Sequence, residues 1–290
     1  MSVNLELLPP LTVVQQIDYE EIVADIVAKA KLENANPADP AFRVALAGAY
    51  REVLIRQEAN EQAKALTLAH ATGSQLDHLG VTYYRTPDGL PVVRLPGESD
   101  TDYKARLQES PEGLSVAGPE GAYRFHVRSA SPLVAGVDVD SPTPCYIVLT
   151  VLGREGPAEG EVDYSGPLDG AASPQLLATV AARVDPVRPL GDRVTYQSAE
   201  IVYYQIEAVI KVERGLDPET VMAAAQARAE GYVEWAWRLG GLVVRSAVDA
   251  ALTAPGVEEV VLPADWSDTR CTRYQAPRCN GLVLTFGGFV

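Results

Sequence analysis

Apolar residues recur along this chain at two different periods, and the switches between them mark out its elements. Ile22, Val23, Ile26, Val27 and Ala30 fall at helical spacing, which predicts a first helix over Tyr19 to Leu32. Met1 to Pro10, ending in two prolines, reads as an extended arm ahead of it, and Asn34-Ala35-Asn36-Pro37 as its break. Asp39-Pro40 restarts the helix with a capping acceptor and a proline at the first helical position. No proline interrupts the next stretch to about Ala71, a rod on the order of 45 Å long. Its apolar stripe is thin: Phe42, Leu46, Ala49, Tyr50, Val53 and Leu54, then Ala59, Ala63, Leu66 and Ala69 among Arg56, Asn60, Glu61 and Lys64. A narrow seam of this kind suits a helix completed by neighbouring chains or one laid on its own domain, and the pattern leaves both open.

Residues 86 to 97 hold three prolines and two glycines and read as a hinge-like loop. Ser99 or Asp100 caps a short helix through Gln108, and the chain turns irregular near Ser110-Pro111-Glu112-Gly113. A new unit follows: a helix over Gly118 to Ala130, strands at Val134 to Val139 and Cys145 to Leu152, and a turn at Ser141-Pro142-Thr143-Pro144. Residues 153 to 173 read as a long surface loop, and Ser173-Pro174 opens a helix to about Val184.

Asp185 to Leu190 cannot continue that helix, because Pro186 and Pro189 fix φ and remove donors. Gly191-Asp192 supplies a turn, and Arg188, Asp192 and Arg193 stand where they can clamp the corner around Pro189. Strand character runs from Val194 to Tyr204 and again from Ile201 to Val212, where Ile206, Ala208, Ile210 and Val212 alternate with Gln205, Glu207, Val209 and Lys211. Helices over Asp217 to Trp237 and Val243 to Thr253 flank Leu239-Gly240-Gly241. A strand at Val257 to Leu262, a loop over Pro263 to Arg278 and a last strand at Gly281 to Phe286 complete the pattern. The fold class this predicts is α+β: a long-helix segment, then two small α+β domains with mostly antiparallel sheets. The expected divisions are residues 1–85, 86–117, 118–200 and 201–290.

A net charge of −15 on 290 residues argues against nucleic acid or an anionic membrane as a partner. No window approaches the length of apolar run that spans a bilayer, and Met1 to Pro10 lacks the pattern of a signal peptide. Cys145, Cys271 and Cys279 are too few for a disulfide framework and are expected as free thiols, although Cys271 and Cys279 could pair across a loop. First folding is therefore expected in a cytoplasm.

The search for chemistry returns little. His70 and His78 lack metal-binding spacing, His126 stands beside Phe125 and Val127, and phosphate-binding and nucleophile-elbow motifs are missing. Asp138 and Asp140 share a strand face and read as solvated, with a calcium site alongside Asp169 as the alternative. Tyr232, Trp235 and Trp237 read as packing. No catalytic residue, cofactor or metal is expected.

Several stretches, in order, resemble the baseplate J-like family, the wedge proteins of contractile phage tails and related particles. They are Ala71-Thr72-Gly73-Ser74-Gln75-Leu76-Asp77-His78-Leu79-Gly80, Glu98-Ser99-Asp100-Thr101-Asp102-Tyr103-Lys104-Ala105-Arg106-Leu107, Gly121-Ala122-Tyr123-Arg124-Phe125-His126, the corner at Asp185 to Ile201, and Ala276-Pro277-Arg278-Cys279. The resemblance covers residues 40 to 290 and implies a structural protein. It implies a bundle of N-terminal helices shared with a second copy and other wedge proteins, which makes Phe42, Leu46, Ala49, Tyr50, Val53, Ala63 and Leu66 the candidate interface. It further implies C-terminal domains ringed around a central hub or spike, an indirect link to the tail sheath, and a place first in the host bacterial cytoplasm and then in the baseplate. A bacterial injection or secretion machine of the same architecture, or a bacteriocin particle, fits as well. An unrelated α+β enzyme is the remaining alternative.

Overall fold

Helix starts follow the capping chemistry written in the chain. The computed structural model describes residues 5–9, 11, 17–32, 34, 36, 38–154 and 170–290. The break at Pro37, half of the N-terminal arm and Asp169 in the long loop therefore lie outside the described residues. Two compact units result, one of Met1–Arg94 with Glu98–Pro111 and one of Leu95–Gly97 with Glu112–Val290.

In the first unit Asp18 caps α1 (Tyr19–Lys29) by accepting the Glu20 and Glu21 amides, and Asp39 caps α2 (Pro40–Ala65) through the Ala41 amide at 2.8 Å. α1 and α2 pack on each other, with Ile22, Ala45 and Ala49 buried. α2 stops short of the expected Ala71. Thr67 turns its hydroxyl onto the Lys64 carbonyl at 2.8 Å, side-chain competition that ends the helix. Thr72 then precedes α3 (Gly73–Tyr83), a helix the sequence reading did not assign. α4 (Asp100–Gly113) runs past the expected Gln108 because Pro111 falls in its last turn, where losing one donor is tolerated.

The second unit contains two layered α+β cores. α5 (Glu120–Arg128), β1 (Val134–Thr143), β2 (Tyr146–Gly153), α6 (Pro174–Val184) and β3 (Arg193–Ser198) form the first, with sheet order β1-β2-β3. Val127, Leu149, Val151, Val180 and Val184 fill it and are fully buried. The hairpin turn sits later than expected, at Pro144 and Cys145, and Cys145 takes φ +62.

The strand expected from Val194 onward is interrupted at buried Ala199, whose amide bonds to Val151, and the chain there passes from one sheet to the next. β4 (Glu200–Val212), α7 (Pro218–Ala236), β5 (Leu242–Val243), α8 (Arg245–Leu252), β6 (Val257–Val261), β7 (Thr269–Arg270) and β8 (Gln275–Phe289) form the second core. Its sheet order is β6-β4-β8, with Ile206, Ile210, Val212, Val243 and Leu252 buried beneath α7 and α8.

The class is α+β and the sheets are mixed. The antiparallel pairs β1–β2, β4–β6 and β5–β7 outnumber the parallel pairs β2–β3 and β4–β8 among the described residues. The longest pairing, β4–β8, is nonetheless parallel. Both parallel pairs join strands separated by a connection that contains a helix, the long crossover that parallel pairing requires.

Candidate assembly surfaces

The corner is held, though not by the full set of charges the sequence suggests. Arg188 donates to the Asp192 carbonyl through Nη1, and its Nε lies 3.6 Å from the Asp185 carboxylate. Two tyrosines complete it: Tyr123 donates to Asp192 at 2.5 Å and Tyr196 to Asp185 at 2.7 Å. Burial, followed by those carboxylates, pushes both phenols well above their ordinary pKa. Pro189 packs against Gly118, where an added Cβ would meet its ring at 2.6 Å. Arg193 contributes its amide, bonded to the Cys145 carbonyl at 2.8 Å. The tyrosines escape sequence reasoning because Tyr123 reaches Asp192 across 69 positions.

The other family-like stretches of the first unit form one polar lock. Glu98 and Arg106, whose side chains are 3% and 4% exposed, share a two-pronged ion pair at 2.6 and 2.8 Å. Arg106 also donates to the Val93 carbonyl at 2.7 Å. Arg94 bridges Asp77 and Asp100 at 2.6 and 2.7 Å, and Asp100 accepts the Gly73 amide at 3.0 Å. Tyr103 lies between the two guanidiniums, 4.8 and 5.1 Å from its ring, with its hydroxyl on the Val92 carbonyl at 2.7 Å. Val92 and Arg94, within the expected hinge-like loop, are therefore tied down on several sides.

The candidate bundle residues divide between two sides of α2. Ala49 is fully buried, and Phe42, Leu46, Val53 and Ala63 are half-buried on the same covered side as Ala45 and Asn60. Tyr50 and Leu66 are exposed. The opposite side carries apolar groups the sequence reading passed over: Val44, at 72% exposure, and Ile55, with Leu54 beside them. Phe42, Leu46, Ala49, Val53 and Ala63 of the stripe thus face the unit itself, and the side of Val44 and Ile55 is the one left bare.

In the second unit Asp138 and Asp140 are not a solvated pair. Arg273 spans both, at 2.7 Å to Asp138 and 2.5 Å to Asp140, and Tyr274 donates to Asp140. The correction follows from a contact spanning more than a hundred positions, which strand alternation cannot reveal. It ties the first sheet to the approach of β8. β8 itself pairs with β4 alone; its other edge is capped at Gln275, whose carbonyl accepts the Gly240 amide at 2.9 Å, and beyond Gln275 it has no partner strand among the described residues.

His70 and His78 are exposed, and His126 is buried with its ring edge-on to Phe125 at 5.4 Å. The three cysteines are free thiols. Among the described residues no group of three or more His, Cys, Asp or Glu could hold a metal ion, and no helix is long and apolar enough to cross a membrane.

Comparison with known proteins gives these surfaces a context. Residues 38–86 match the model of the baseplate J-like N-terminal domain and residues 204–285 that of the baseplate J-like protein C-terminal domain. Baseplate protein J of Escherichia phage P2 is 38% identical over 310 residues, covering 99% of this chain and 98% of that protein. A chain of the anti-feeding prophage baseplate, solved by cryo-EM with sixfold symmetrisation, aligns with a TM-score of 0.39 and 19% identity. That alignment covers 66% of this chain and 44% of the other, too distant a likeness to carry an argument. On the two family models and the near-complete match to a phage protein J, this chain belongs to the baseplate J-like family.

Proposed function

We propose that this chain is a structural wedge subunit of a contractile-tail baseplate. The observation that carries the reading is the 38% identity across nearly the whole of both chains to a baseplate protein J. Its role is to assemble with a second copy and with other wedge proteins around the central hub, and to rearrange when the sheath contracts. The bare outer side of α2, with Val44, Tyr50, Leu54 and Ile55 exposed and Leu66 exposed just past its end, supports a helical bundle between chains. A permanent bundle of this kind needs a large interface, whereas ring contacts that switch need smaller ones. The work is mechanical and not catalytic. The equivalent part of a bacterial injection or secretion machine is the second reading, and it uses the same surfaces; the genes beside this one separate the two.

Co-expression with the proteins encoded beside it, read by light scattering and electron microscopy, tests the proposal. The expected product is a stable complex holding this chain twice, lost in the Val44→Glu/Ile55→Glu variant while the variant chain stays folded. A monomer that recruits no neighbour overturns it.

A further inference from the structure

The open edge of β8 does not face open solvent along its whole length. α7 runs beside it, and between them lies a groove of about 630 Å³. Val233 of α7, Trp237 just past its end and Leu282 of β8 give the groove its apolar lining. Glu230 and Glu234 stand on the helical wall, both exposed, and Arg278 lies 5.6 Å over the Trp237 ring at one end. From Cys279 to Phe289 the strand carries no charge and no proline, two of the devices that ordinarily protect an edge; a third, the bulge, is present, since the register against β4 slips between Cys279 and Gly281 and between Phe286 and Phe289. Leu282 and Leu284 are only partly covered on the core face, and Phe286 and Phe289 are 41% and 48% exposed. Beyond Gln275, a ladder of backbone donors and acceptors with no partner strand among the described residues, beside a helix-walled apolar groove, is the geometry of strand addition.

We infer that this groove receives an extended segment of a different protein, which adds as a strand to β8 and carries a lysine or arginine against Glu230 and Glu234. A segment of about six residues spans roughly 20 Å at strand rise, well within the reach of α7 and β8. Its alternate side chains lie on Leu282, Val233 and Trp237. Charge selects the occupant. Two copies of this chain joined edge to edge through β8 about a twofold axis would bring the carboxylate walls of both α7 helices towards the same seam. A basic segment instead finds its counter-charges in place. The inference rests on the assembly reading for the source of the segment, and it uses a surface separate from α2.

The experiment uses the full chain, alone and in the complex formed on co-expression with the proteins encoded beside it. Hydrogen exchange at Gly281 to Phe286 is expected to slow at least ten-fold in the complex. The Glu230→Lys/Glu234→Lys variant, which alters two exposed side chains and leaves the core intact, is expected to weaken the complex at least ten-fold and to abolish that protection. Unchanged exchange along β8 in a complex that still forms overturns this inference and leaves the assembly reading standing; full tolerance of the charge reversal does the same. Edge protection that rises with the concentration of the chain alone assigns the edge to a second copy and overturns it too. A chain that joins no complex overturns both.

Discussion

Removing one partner of the Glu98–Arg106 pair should unfold the first unit locally, and the size of the effect follows from its burial. Both side chains are almost sealed from water. Glu98→Gln leaves a guanidinium buried with no counter-charge, a loss of about 3–5 kcal/mol for breaking a buried pair from one side. Arg106→Leu takes the paired guanidinium from the carboxylate instead and also removes the bond to the Val93 carbonyl and the contact with Tyr103, so it should cost at least as much. Glu98→Leu/Arg106→Leu removes both charges together. It forgoes about 1 kcal/mol for the Val93 bond and a similar amount for the ring contact, and should be milder than either single change. The assay is native-state hydrogen exchange of α4 amides, which reads opening of this unit directly. All three tryptophans, Trp235, Trp237 and Trp266, lie in the second unit, so their emission reports that unit. A Glu98→Gln loss under about 1 kcal/mol, or a double variant worse than both singles, would refute the argument.

Gly80→Ala should cost about 1–3 kcal/mol, the range for overpacking, because the new Cβ would collide with the Tyr103 hydroxyl, which its bond to Val92 holds in place; thermal unfolding checks it. The Asp100 carboxyl is held below its ordinary pKa by the Gly73 amide, with Arg94 adding to the effect. It therefore contributes stability above the ordinary value of about 3.9, and that contribution fades as pH falls through the lowered value. Asp100→Asn should flatten this part of the acid dependence of exchange in α3. Tyr123→Phe removes a hydrogen bond to a carboxylate and should cost about 1.5–3 kcal/mol, measured by denaturant unfolding followed through tryptophan emission.

What the sequence made legible was local. Asp39-Pro40, Ser173-Pro174 and Asp217-Pro218 each announce a helix, and in each the side-chain oxygen accepts an amide of the first turn. The alternation from Tyr204 to Val212 reads directly as a strand buried on one face. What stayed hidden was non-local. Parallel pairing of β8 with β4, the Arg273 bridge to Asp138 and Asp140, and the Tyr123 bond to Asp192 at the corner all join residues far apart in the chain. The seam on α2 was legible, but the pattern left open whether its own unit or a neighbouring chain covers it, because an apolar stripe says which side is covered and not by what. Its bare side, where Val44 and Ile55 are interrupted by Gly48 and Arg51, does not stand out by composition.

The register of β4 against β8 also sets an order of folding. Glu200 pairs with Gln275, 75 positions on, so closing that loop costs about 4 kcal/mol of chain entropy before the first bond of the ladder repays it. The β1–β2 hairpin, turned at Pro144 and Cys145, closes almost for free by comparison. High contact order slows folding, so the second sheet should be the late step in refolding, with β4 waiting on one flank for a strand not yet docked. Another molecule's β8 offers the same apolar sequence to that flank. The yield of refolded chain should therefore fall as its concentration rises, and dilution should restore it.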